Sequence, residues 1–176
     1  MRYFAYGSNM DPAQMRQRCP GSQAVAIGVL RGYALCFPRR SYTRGCGVAS
    51  IEPATEQTVW GVVYRMTAAD LASLDDFEGY RANRPVQDNR YNRVAITVEV
   101  DGVPTEVETY IAVSQQNPPP PNAAYLAQLR GGAAHHGLPE EYRAFLADLT
   151  QRTALMPTVF NMSHVACFAR QNPSRA

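Results

Sequence analysis

Between residues 24 and 64 the chain breaks into short β-branched or aromatic segments, 24–30, 33–37, 47–51 and 59–64, each bounded by glycine, proline or polar turn residues. That pattern predicts sheet for most of the first half. A second pair, 91–100 and 105–112, alternates apolar and polar residues across Asp101-Gly102, a strong two-residue hairpin signal. Helices are expected around this sheet. Asp11-Pro12 reads as an N-cap with proline at the first helical position. Thr67-Ala68-Ala69-Asp70 reads as a capping-box start, with Gly79 able to end that helix just after Glu78. Asn122 can cap a helix reaching His136, and Pro139 opens another with the stripe Tyr142, Phe145, Leu146 and Leu149. Pro118-Pro119-Pro120-Pro121 is a stiff connector before the Asn122 cap. The elements predict an α+β domain around a mostly antiparallel, strongly curved or barrel-like β-sheet with flanking helices.

A chain of 176 residues, 45% of them hydrophobic, suits one domain. We assign it to residues 1–150 and treat 151–176, which has no clear periodicity, as a C-terminal extension packed on the same domain. Seventeen basic residues against 15 acidic ones give a formal net charge of +2, too balanced for the footprint of a nucleic-acid or membrane-surface binder. All the basic residues are arginine, which removes lysine Schiff bases and Walker-type phosphate loops from consideration. Cys19, Cys36, Cys46 and Cys167 form no CxxC pair and no metal-finger spacing. With no signal-peptide pattern at the start and no apolar run near the ~20 residues that cross a bilayer, a cytoplasmic protein without a membrane span is expected.

Two places carry chemistry. Residues 2–6 read as a strand, followed by Gly7-Ser8-Asn9 and then the Asp11 cap. A strand, glycine turn and helix start in succession turn unpaired backbone N–H groups outward, a setting for an anion or oxyanion. By itself the tripeptide is also simply a good turn. The second place is Leu74-Asp75-Asp76-Phe77-Glu78-Gly79-Tyr80. With Leu71 at zero and roughly 100° per residue, Leu74 falls at about 300°, Glu78 at about 340°, Asp75 at about 40° and Asp76 at about 140°. Glu78 therefore lies on the apolar face between two leucines, while Asp76 points away. Desolvation and the negative end of the helix dipole would both raise its pKa, as acid–base chemistry near neutral pH requires. The competing reading is a buried glutamate held by a structural arginine, for which Arg81 and Arg84 are the nearby candidates.

Tyr3-Phe4-Ala5-Tyr6-Gly7-Ser8-Asn9-Met10 and Leu74-Asp75-Asp76-Phe77-Glu78-Gly79-Tyr80, in that order and separation, resemble the γ-glutamylcyclotransferase family, including its AIG2-like relatives. Val59-Trp60-Gly61-Val62-Val63-Tyr64 is similar to the family's central strand. Pro120-Pro121-Asn122-Ala123-Ala124-Tyr125 and Gly137-Leu138-Pro139-Glu140-Glu141-Tyr142 continue the resemblance, which covers roughly residues 2–148. It implies that Glu78 is the catalytic residue and that Tyr3, Tyr6, Gly7, Ser8, Asn9 and Tyr125 bind substrate. Tyr91 and Tyr110 stand open as further lining residues.

The implied reaction is intramolecular: the α-amine of a γ-glutamyl group attacks its own γ-carbonyl, releasing 5-oxoproline and a free amino acid or amine. It uses no nucleophilic side chain, metal or organic cofactor, and its partner is a small γ-glutamyl molecule. Tyr6-Gly7-Ser8-Asn9 looks more like the branch acting on γ-glutamyl amino acids than like the glutathione or γ-glutamylamine branches. The arginine-rich stretch 81–90, expected as a loop near the site, leaves the leaving amine open, as it does a more specialised γ-glutamyl metabolite or a γ-glutamylamine. A non-catalytic small-molecule binding module on the same fold is the alternative of another class. Monomer and homodimer are both compatible with the sequence. His135-His136 is read as a solvated helix end rather than a metal site, Asn161-Met162-Ser163 as a chance glycosylation pattern, and pairing of a cysteine with His164 as unsupported by any motif.

Overall fold

The computed structural model describes residues 1–154, with side chains described through 149. The expected extension from 151 lies almost wholly outside them, as do Asn161, His164 and Cys167. Five strands form a closed barrel: β1 (Arg2–Ala5), β2 (Gln23–Ser41), β3 (Cys46–Arg65), β4 (Tyr91–Val100) and β5 (Val103–Ala112), ordered β1-β3-β2-β4-β5. Neighbours pair antiparallel, and the barrel closes through a parallel contact of β1 with β5 at Tyr3 and Glu108. Four helices flank it: α1 (Pro12–Arg18), α2 (Ala68–Glu78), α3 (Ala123–His135) and α4 (Glu140–Ala154). The curved α+β architecture expected from the sequence is the one adopted.

The four short segments of the first half are, however, two long strands. Gly32, at φ +76°, makes a bulge instead of a turn, and the β2–β3 register shifts between Arg31 and Tyr33. Across that shift the β3 partner jumps from Thr58 to Pro53, so residues 54–57 are absorbed as an irregularity of one strand. A second shift between Cys36 and Arg39 spans Pro38, which has no N–H for the ladder. Breakers thus became bends, and only residues 42–45 form a real turn between the two strands.

The helix starts read from the sequence are present. Asp11 accepts from the Ala13 N–H at 2.9 Å. Thr67 and Asp70 form the reciprocal capping box, and Asn122 caps α3 through the Tyr125 N–H at 2.8 Å. Asp101 and Gly102 both have positive φ, 50° and 78°, in the β4–β5 turn. Phe4, Met10, Val59, Val62, Val63, Leu74, Leu129 and Leu146 are fully buried and tie barrel and helices into one core. Burial of each such side chain contributes about 1.5–3 kcal/mol. On α4, Tyr142 and Leu146 are buried, but Phe145 is 39% exposed. It sits at the edge of the predicted stripe, its ring 5.6 Å from that of Tyr142 between centroids. Among the described residues no helix is long and apolar enough to cross a membrane.

Candidate active site

The first strand ends at Ala5 and the chain turns through a single 3-10 turn, Ser8–Met10, before α1. The turn is closed by the Met10 N–H onto the Gly7 carbonyl at 3.0 Å and the Asp11 N–H onto the Ser8 carbonyl at 3.1 Å. The outward set of N–H groups therefore stops short of Met10, whose N–H is occupied. The N–H groups of Gly7, Ser8 and Asn9 take part in none of the described hydrogen bonds. The turn is held against α3 at Gly132, where a Cβ would lie 2.7 Å from the Met10 backbone carbon.

Opposite this turn, α2 ends as its periodicity predicted. Gly79 takes the left-handed conformation at φ +70° and stops the helix, leaving Glu78 in the last turn with Leu71 and Leu74 buried beside it. Tyr3, Tyr6, Gly7, Ser8, Asn9, Glu78 and Tyr125 all line one cleft, together with Ala49, Tyr91 and Tyr110. The cleft is small and partly open to solvent. A Cβ at Gly7 would meet the Ala49 Cβ at 3.1 Å, so glycine keeps this wall thin. Every residue that the sequence nominated as a binding or acid–base group thus reaches the same cleft. Tyr91 and Tyr110, left open before, line it too.

A hydrogen-bonded chain organises the polar side. Asn9 donates through Nδ2 to Glu78 Oε1 at 3.0 Å and to the Tyr3 hydroxyl at 2.8 Å. Its Oδ1 accepts from Gln14 Nε2 at 2.8 Å and from Arg18 Nη1 at 3.0 Å, which assigns the amide orientation. Arg18 Nη1 also lies 3.3 Å from Glu78 Oε1. The structural arginine beside Glu78 is therefore Arg18, from α1. Arg81 instead pairs with Asp76 at 2.7 Å, and the stretch 81–90 is an exposed loop except for buried Asn89. Arg84 is exposed there and makes no described contact with Glu78. The α1 sequence carries no signal for this pairing, because a partner 60 residues away is set only by the docking of α1 on α2.

The Glu78 side chain is only 13% exposed. Burial raises its pKa above the ordinary carboxylate value, and Arg18, the Asn9 hydrogen bond, Arg90 and Arg44 act in the opposite direction. Burial likewise pushes the Tyr3, Tyr6 and Tyr91 hydroxyls well above 10 and that of Tyr125 up to about 12, so all are neutral donors at physiological pH. Tyr6 and Tyr110 are fixed from behind. Tyr6 donates to the Tyr110 carbonyl, and the Tyr110 hydroxyl donates to Asp75 Oδ1 at 2.8 Å. Asp75 is in turn held by Arg93 Nη1 at 2.8 Å.

Ala49 is a wall residue that sequence reasoning missed. It lies in the bulge where Cys36 pairs with Ser50 and Arg39 with Val48, so it has no ladder partner on β2. Two cleft tyrosines replace that partner: the Tyr125 hydroxyl accepts from the Ala49 N–H and the Tyr91 hydroxyl donates to the Ala49 carbonyl, both at 2.9 Å. The adjacent histidines also depart from expectation. His135 is exposed, but His136 is half-buried, with Nε2 3.0 Å from the Met10 carbonyl, and burial lowers its pKa. Its neighbours are a backbone carbonyl and the Tyr64 hydroxyl. Among the described residues no three His, Cys, Asp or Glu side chains converge as a metal site would need.

Residues 3–127 match the model of the family described as "Gamma-glutamyl cyclotransferase, AIG2-like". The chain belongs to that family. The γ-glutamylcyclotransferases of Bos taurus and Homo sapiens are 31% and 30% identical to it over 146 residues, 80% of this chain and 74% of each relative. A solved structure of a γ-glutamyl cyclotransferase superposes with a TM-score of 0.76 at 27% identity, covering 93% of this chain and 92% of the other.

Proposed function

We infer that this family member is a γ-glutamyl cyclotransferase and that Glu78 carries its proton transfers. The observation behind the residue assignment is a desolvated carboxylate in a small cleft, hydrogen-bonded on one oxygen by Asn9 and Arg18 and flanked by neutral tyrosines. In the reaction, Glu78 takes a proton from the α-ammonium of the γ-glutamyl group, and the freed amine attacks the γ-carbonyl. As the ring nitrogen becomes a lactam it loses a second proton, and the leaving nitrogen gains both as the original amide C–N bond breaks. One carboxyl can act in both directions, base first and acid second. The N–H groups of Gly7, Ser8 and Asn9 are the candidates to hold the oxyanion or the substrate carboxylate, and the cleft tyrosines supply shape and neutral hydrogen bonds. Closing a ring within one bound molecule makes conformational restraint a large part of catalysis, which a narrow cleft provides.

γ-Glutamyl amino acids are the proposed substrates, with a cytoplasmic setting in keeping with buried Cys19 and Cys46, which are free thiols. The test is 5-oxoproline release from γ-glutamyl amino acids, glutathione and γ-glutamylamines by wild type and Glu78→Gln. General acid–base assistance is worth about 10²–10⁴ in rate, so the variant should lose that much kcat while still binding. Near-normal turnover by Glu78→Gln would remove Glu78 from the mechanism. Absence of product from every substrate would favour a specialised γ-glutamyl metabolite or a binding module.

A further inference from the structure

Arg18 occupies the position that, from sequence, competed with catalysis as an explanation for a buried glutamate. In the structure it stands in the cleft's own hydrogen-bond chain. Its Nη1 reaches both Asn9 Oδ1 at 3.0 Å and Glu78 Oε1 at 3.3 Å, and its guanidinium carbon lies 4.9 Å from the centre of the Phe77 ring. Glu78 Oε1 thus receives two donors, while Oε2 takes part in none of the described hydrogen bonds.

We propose that Arg18 is a positioning residue for the cyclisation: with Asn9 it clamps Glu78 Oε1, sets a positive charge beside the carboxylate, and leaves Oε2 as the oxygen that exchanges protons with substrate. The proposal rests on the reading of Glu78 as the acid–base group. A desolvated carboxylate with no cation at its side holds its proton more tightly, so in acid less of it is free to accept the ammonium proton. A cation bound on one oxygen favours the ionised form without occupying the other.

The surroundings of Glu78 make Arg18 the main counterweight. Tyr3 and Tyr6 on β1, Cys19 after α1, Tyr91 on β4 and Tyr125 on α3 also feel its charge, but burial keeps all of these neutral. The other cations acting on it are Arg90, whose Nη2 caps the Phe77 carbonyl at 3.1 Å, and Arg44, which is bound to Gln14 and Gln128. Neither makes a described hydrogen bond to Glu78. Docking of α1 on α2 does not depend on the Arg18 side chain: Ser73 Oγ donates to the Arg18 carbonyl at 2.7 Å, and the Gly21 N–H donates to Asp70 Oδ1 at 3.0 Å. Replacing the guanidinium therefore leaves the local backbone anchored.

The experiment is the pH profile of kcat/KM for 5-oxoproline release from a γ-glutamyl amino acid turned over by the wild type, for wild type, Arg18→Gln and Arg18→Lys, with folding checked by circular dichroism. In Arg18→Gln the acid limb should move up by about one pH unit or more, the size of shift that an adjacent opposite charge produces. Activity then falls about tenfold on the acid side and approaches wild type on the alkaline side. Arg18→Lys, which keeps the charge, should hold the limb near its wild-type position. A loss in Arg18→Gln that is uniform across pH, with the limb unmoved, would overturn the role of Arg18 and leave the cyclotransferase reading intact. So would an Arg18→Lys profile identical to that of Arg18→Gln. No product from the wild type would instead overturn the functional reading, and this inference with it.

Discussion

Tyr125→Phe removes one oxygen from the cleft and opens no space, so its effect reports the loss of that hydroxyl's hydrogen bonds, chief among them the one from the Ala49 N–H. Ala49 is buried, and its N–H points at the Tyr125 hydroxyl because the bulge spanning Pro38 deprives it of a partner on β2. Without that hydroxyl a buried N–H is left unsatisfied, which costs about 1–3 kcal/mol. For a chain of this size each kcal/mol lowers Tm by about 2–4 °C, so a fall of about 2–12 °C is expected. Tyr91→Phe removes the donor to the Ala49 carbonyl, and an under-satisfied carbonyl is better tolerated than an orphaned N–H. Its effect should therefore be smaller. Thermal and urea unfolding of wild type, both single variants and the double variant measure this, and kcat/KM measured alongside shows whether the loosened wall disturbs the cleft. A Tyr125→Phe protein with unchanged Tm and urea midpoint would refute the view that the cleft tyrosines hold the bulge together.

Two further substitutions probe α2, the helix that carries Glu78. Asp70→Ala removes half of the capping box together with the acceptor of the Gly21 N–H, and should destabilise the protein by about 1–3 kcal/mol near neutral pH. Burial pushes the Asp70 carboxyl up, but hydrogen bonds from Thr67 and Gly21 outweigh it and hold the pKa below the usual range. Its stabilisation is therefore full above the unfolded carboxylate value of about 4 and is lost as pH falls through the folded one. The gap in urea midpoint between wild type and variant should narrow in acid, and a gap that widens there would contradict the assignment. Gly79→Ala places a Cβ at φ +70° and 2.2 Å from Arg90 Nε. It should lower the unfolding midpoint by more than 1 kcal/mol's worth, roughly the left-handed penalty alone, and release Arg90 from the carbonyls of Asp76 and Phe77. A midpoint equal to wild type would mean that the helix end tolerates another stop.

Local chemistry made the helix ends and the β4–β5 hairpin legible. Asp11, the Thr67–Asp70 box, Asn122, Gly79 and Asp101-Gly102 act on their own neighbours, so their consequences follow from a few residues of chain. Glu78 was legible for a related reason: a helix has a fixed period, and a carboxylate between Leu71 and Leu74 must face what the leucines face. What covers that face, and with what charge, is not a local property. The choice of Arg18 over Arg81 or Arg84, the conversion of Gly32 and Pro38 from turns into bulges, and the half-burial of His136 against Met10 all depend on segments distant in sequence. So does the role of Ala49, an ordinary strand alanine until the bulge leaves its backbone unpaired beside Tyr91 and Tyr125. The sequence by itself determined the helix ends, the β4–β5 hairpin and the helix face on which Glu78 lies, because caps, turns and helical periodicity are short-range forces. Only the closed barrel decided which of them meet, because closure brings β1, α2, β4, β5 and α3 around one cleft and sets the partners that tune its carboxylate.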